Sequence, residues 1–141
     1  MVRILDSATV DRYLTTDVAR GAMRRCFLLE AEGRAGPAAR TDLSHSAGWM
    51  RVLPAVVEGI GVFGHKMISF TSGRGVRYVI TLFDIETGEM RAVVDGEAIT
   101  GARTGATSAV AADLLSGPAA VAAIVGTGSV ARTQLPALAA V

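Results

Sequence analysis

Three cations stand where they could grip a carboxylate: Arg40 in an extended stretch, Lys66 inside a β-branched and aromatic run, and Arg103 among small residues near a helix start. An arginine offers a carboxylate two parallel donors, and a lysine offers a compact ammonium whose pKa falls on burial. Lys66 is the single lysine among 14 basic residues, which marks either an amine tuned for chemistry or chance in an arginine-biased chain. His45 and His65 have no clustered acids around them and read as loop or core residues rather than metal ligands. Cys26, the only cysteine, falls on an apolar helical face with nothing nearby to lower its pKa, and reads as a packed thiol.

A second constellation lies at Val121-Ala-Ala-Ile-Val-Gly-Thr-Gly-Ser-Val-Ala131, read as a buried strand, a glycine turn and the opening of a helix. In a dinucleotide site Gly126 allows the tight turn, Gly128 lets the backbone approach a pyrophosphate, and Ala131 takes the third small position. The residues around the phosphates are then Gly126, Thr127, Gly128, Ser129 and Val130, whose N–H groups open the helix. Taken alone, G-x-G-x-x-A is a short pattern that any alanine- and glycine-rich chain produces readily.

The elements that must position these residues follow from periodicity and caps. Ser7 opens a short helix through Leu14, and Thr15-Thr16-Asp17 opens a second, with Val18, Ala22, Cys26 and Leu29 on one face and Gly33 at its end. Extended segments are expected at Pro37–Leu43, Trp49–Leu53, Gly59–Phe70, Val76–Asp84 and Glu89–Asp95. Asp84-Ile-Glu-Thr-Gly88 reads as a hairpin turn, Gly73 and Gly75 mark the turn before it, and Pro54 confines its segment to an edge or a strand end. From Glu97 the period becomes helical, capped by Asp95 or Thr100 and closed by Ser116-Gly117-Pro118. Gly101 and Gly105 weaken that helix, so something is expected to pack closely on its first turns.

Composition bounds the partners. The 141 residues suffice for one domain with a core plus a fragment. Apolar residues make up 50% and charged residues 19%, with mean hydropathy +0.41, so a partner subunit or further polypeptide is expected to cover the excess. A net charge of +1 with scattered arginines argues against nucleic acid. No run approaches the about 20 apolar residues of a membrane helix, and Arg3 and Asp6 interrupt the N-terminal apolar stretch, so the expectation is a cytoplasmic protein without a membrane partner.

Read in order, Leu82-Phe-Asp-Ile-Glu-Thr-Gly88, Val94-Asp-Gly96, Ile99-Thr100, Arg103-Thr104 and Ile124-Val-Gly-Thr-Gly128 resemble the ornithine cyclodeaminase and mu-crystallin family. Pro37-Ala-Ala-Arg40, Leu53-Pro54 and Gly64-His-Lys66 match it upstream, so the resemblance runs from about Arg34 onward. It implies an α/β protein. By the same resemblance, residues 1–117 are expected to form an N-terminal α+β domain with a mostly antiparallel sheet that contacts substrate and forms a homodimer, and residues 118–141 the first β-turn-α of a Rossmann-type NAD(P)-binding domain. It further implies an NAD(P)-linked enzyme of small amino or imino acids, with hydride transfer at the substrate Cα through an imine; cyclodeaminases then close a ring and lose ammonia. By resemblance, Arg40, Lys66 and Arg103 surround the substrate carboxylate and reacting carbon, and Thr81, Arg103 and Thr104 lie near NAD or NADP. Lys66 is the candidate proton shuttle, a role that requires a lowered pKa.

The chain also departs from the family pattern. Val130 stands where members usually carry glutamine, and Pro136 falls inside the expected helix, where a bend near Arg132 is expected. Ornithine-specific members carry an acid three residues before the proline matched by Pro54; here the residue is Arg51, either a substrate contact that repels a distal amine or a solvated strand residue. The ribose-reading residue expected about 20 positions past the glycines falls beyond Val141, which leads to the expectation of a truncated, inactive piece. Two non-catalytic readings remain beside the enzyme: a ligand-binding protein of the mu-crystallin type, and a dimerisation fragment.

Overall fold

The computed structural model describes residues 1–117 and 120–141. Seven strands form one mixed sheet: β1 (Arg3–Leu5), β2 (Ala35–Pro37), β3 (Thr41–His45), β4 (Gly48–Val57), β5 (Val62–Thr71), β6 (Gly75–Asp84) and β7 (Met90–Asp95). Among the described residues four α-helices accompany it: α1 (Ser7–Tyr13), α2 (Thr16–Ala31), α3 (Glu97–Leu115) and α4 (Ser129–Leu138). The strand order is β1-β7-β6-β5-β4-β2, with β3 also on β4. Every pairing is antiparallel except β1 on β7, so the expected α/β class with a mostly antiparallel sheet is what forms.

Several local expectations are met. The Thr15 hydroxyl accepts from the Val18 N–H to start α2, and Gly33 follows its end with φ +71°. In the β6–β7 hairpin, Asp84 Oδ1 accepts from the N–H groups of Glu86 and Thr87, and Gly88 takes φ +70°. The Asp95 carboxylate receives the Glu97 N–H at the start of α3, whereas the Thr100 hydroxyl donates back to the Gly96 carbonyl instead of capping.

Other expectations are corrected. Asp6, not Ser7, caps α1, accepting from the Thr9 N–H at 2.9 Å. The inward face of α2 carries Ala19, Met23, Cys26 and Leu29; Cys26 and Leu29 are as expected, while Ala19 and Met23 take the places expected of Val18 and Ala22, which face out. Pro54 does not end its strand. Its carbonyl accepts from Ala38 on the side where β2 stops and β3 has not begun, and in a strand N and C=O of one residue point the same way, so the missing N–H faces that break. Residues 121–125 form no strand: Val121 and Val125 are fully exposed, because no strand among the described residues lies beside them to complete a ladder. The expected stop at Ser116-Gly117-Pro118 and the boundary at residue 118 fall partly outside the described residues; Gly117 itself takes φ +63°.

All helix packing against the centre of the sheet uses one face. Val10 of α1 joins Ala92 and Val94 of β7, with Leu5, Leu14, Ile80, Ala98 and Ile99 around them. On the opposite face Val56 and Phe63 stay exposed and Met67, Val79 and Phe83 half-exposed, Phe63 stacking on Phe83 at 5.3 Å. The apolar excess foreseen from composition is therefore on the surface. Among the described residues no helix is long and apolar enough to cross a membrane.

Candidate active site

Register sorts the candidate residues by face, because directly paired strand residues point the same way. Lys66 is opposite Leu53 on β4 and Ile80 on β6, and Ile80 is opposite the core residue Val94. Lys66 therefore lies on the helix-bearing face. One step along, Arg51 is opposite Ile68 and Asp42, and Ile68 is opposite Tyr78, so Asp42, Arg51 and Tyr78 share that face. The Lys66 ammonium sits over the Tyr78 ring, 5.8 Å from its centroid. The Gly96 N–H donates to the Tyr78 carbonyl at 3.1 Å, which pins the start of α3 to β6 and brings Arg103, seven residues on, over the same face.

The Lys66 amine is held below the ordinary lysine range, first by burial and then by the nearby Arg103 charge. Arg103, exposed on α3, is thus close enough for its charge to act on Lys66. Arg40 lies exposed in the segment between β2 and β3, where its charge acts on Asp42. Thr81 is on the opposite face, its hydroxyl bonded to His65 Nδ1 at 3.0 Å, so it does not line the Lys66 group. Thr104 lies half-buried on α3 and donates to the Thr100 carbonyl at 2.7 Å. The two histidines take local roles, His45 accepting from the Ala47 N–H and His65 meeting Thr81. No group of three metal-ligating side chains occurs among the described residues.

Sequence reasoning missed the partner of Arg51. Its Nε and Nη2 each donate to Asp42 at 2.7 Å, and its guanidinium lies over Trp49 at 5.6 Å. Arg51 is thus a paired cation whose orientation Asp42 and Trp49 set on an exposed part of the sheet. The signal was available only through register, since Asp42 and Arg51 meet across a hairpin that nothing in their own types announces.

The glycine turn is placed by α3. A Cβ on Gly101 would stand 2.9 Å from Thr133 Cγ2, and one on Gly105 would strike the Thr133 carbonyl oxygen and stand 3.2 Å from Ala137 Cβ, so the small residues admit α4. Arg20 of α2 holds the far end through the Ala140 carbonyl at 2.6 Å. Pro136 does not end α4, which runs on to Leu138. At its start, Gly126 has φ +113°, which L side chains avoid, and Gly128 is an N-cap without a side-chain bond. Thr127, Ser129 and Val130 are exposed, and a Cβ at Gly126 or Gly128 would meet open space. The N–H groups at the start of α4 carry no side-chain cap and are free to donate to an anionic group.

Residues 2–141 match the sequence profile of the ornithine cyclodeaminase/mu-crystallin family. A Delta(1)-pyrroline-2-carboxylate/Delta(1)-piperideine-2-carboxylate reductase of Azospirillum brasilense is 33% identical over 103 residues, 68% of this chain and 32% of that protein. An archaeal alanine dehydrogenase, solved as a dimer with bound NAD, superposes with a TM-score of 0.84 at 29% identity over 99% of this chain and 45% of its own. The Thermococcus litoralis Delta(1)-pyrroline-2-carboxylate reductase, solved with NADH and L-proline, gives 0.84 at 27% identity over 99% and 46%. The chain spans from about a third to just under half of the length of these proteins.

Proposed function

Because this chain belongs to the ornithine cyclodeaminase/mu-crystallin family, we propose that it supplies the substrate face and the first cofactor turn of an NAD(P)-linked oxidoreductase of amino or imino acids. The observation that carries this reading is that α3, which carries Arg103 to the sheet face holding Lys66, is also the helix on which α4 and its glycine turn are docked. A nicotinamide, when bound, exchanges hydride with the substrate Cα. The chain's residues do the rest. Arg103 and Lys66 fix the substrate carboxylate, with Arg40 closing from the β2–β3 segment, so that Cα is held still. As the C–N bond becomes C=N, the nitrogen sheds a proton, which Lys66 Nζ takes in its neutral form, the form that burial and the Arg103 charge favour, while Arg103 keeps hold of the carboxylate. In the reducing direction Nζ returns that proton to the nitrogen.

A second copy of the chain is the proposed cover for the helix-free sheet face around Phe63, Met67 and Phe83, an assembly supported by the dimer of the alanine dehydrogenase. The functional reading is tested by NADH fluorescence titration of the polypeptide that carries this sequence, with and without L-proline or L-alanine. Saturable NADH binding that tightens with the amino acid is expected. Binding of neither would reject the reading.

A further inference from the structure

The geometry points to Arg51 as a specificity residue that reads a second, side-chain carboxylate, making dicarboxylic amino or imino acids the preferred substrate class. The inference rests on the amino-acid reading above and narrows it. Arg51 and Lys66 share one sheet face on adjacent strands as a diagonal pair, since Arg51 faces Ile68 and Lys66 precedes Ile68 by two residues. Such neighbours stand about 7–8 Å apart at the backbone, within reach of long side chains. A small molecule whose first carboxylate is held by Lys66 and Arg103 therefore extends its side chain past Arg51.

Arg51 is prepared for that encounter. Asp42 engages Nε and Nη2, and Trp49 supports the guanidinium plane, so its orientation is fixed before ligand arrives. Of five N–H donors, the two bonds to Asp42 leave three for a ligand. The side chain is 35% exposed, so its free donors remain open to a ligand. Asp42 is a positioning residue in this scheme. Its two oxygens are both taken by Arg51, so a distal ammonium finds a cation where it needs a free acid. Charge points the same way. Lys66, Arg103 and Arg51, with Arg40 beside Asp42, carry more positive charge than one carboxylate and Asp42 offset.

The test is calorimetric titration of the chain with L-aspartate, L-alanine, L-proline and L-ornithine, with the emission of Trp49, the only tryptophan, followed in parallel. L-Aspartate is expected to bind about tenfold or more tightly than the other three, the worth of one charged hydrogen-bonded contact, and to perturb Trp49. Arg51→Met should bring aspartate to within about twofold of alanine while leaving alanine and proline unchanged. Asp42→Asn should lose part of the preference and Asp42→Glu should restore it, a rescue that a merely structural role would not produce. Equal binding of alanine and aspartate, or a preference that survives Arg51→Met, overturns the inference and leaves the amino-acid reading standing. Binding of no amino acid at all overturns both.

Discussion

Lys66 is where charge and burial conflict in this chain. Its folded pKa lies below the reference value of 10.5, with burial the larger cause and Arg103 the second. The folded state therefore binds fewer protons than the unfolded one between the two values, and stability rises with pH through that window; below it the full penalty for burying the ammonium is present. Lys66→Met keeps the apolar stem and removes the charge. It should raise the thermal midpoint at pH 7 and flatten the rise in stability expected of the parent protein as pH climbs toward the unfolded value of 10.5. An unchanged slope in scans across that range would contradict this account of Lys66. The residue was legible in the sequence as the sole lysine, and Arg103 as an arginine among small residues. The Asp42–Arg51 pair was not, because its members are nine positions apart and become neighbours only through the β3–β4 register.

At the scale of elements, α3 links substrate face and cofactor turn, and its glycines mark the joint. Gly105→Ala should cost about 1–3 kcal/mol, since the added methyl meets the Thr133 backbone rather than a side chain that can swing away. Gly21→Ala, on α2 with nothing within 4 Å of the new methyl, should instead stabilise by about 1 kcal/mol through helix propensity. Chemical denaturation of the two variants reads both signs, and equal effects would mean that α4 does not press on α3 as described. Turns and caps were legible where one residue type does the work: Thr15 at α2, Asp84 in the hairpin, Gly101 and Gly105 under α4. Elements decided by distant pairing were not. The three residues of β1 become a strand only because β7 accepts them in parallel, and β4 tolerates Pro54 only because β2 and β3 leave a break beside it. Residues 121–125 show the converse, a strand-like apolar run without a neighbouring ladder.

For the whole molecule, the sheet is covered on one face and bare on the other. A small protein rarely leaves so much connected apolar surface to water, and a second copy would remove it. Phe63→Arg, at a residue 40% exposed on that face, should shift the sedimentation coefficient from dimer to monomer with the fold retained. A parent protein that sediments as a monomer at micromolar concentration would dismiss the proposed interface.

Lys66 either moves a proton or only supplies charge, and Lys66→Arg separates the two, because a guanidinium keeps the charge and does not give up its proton. NADH oxidation with an imino acid, followed at saturating substrate, should fall by about 100-fold or more in the variant, while calorimetric affinity for the carboxylate changes only a few-fold. Near-normal turnover by Lys66→Arg would contradict the central claim.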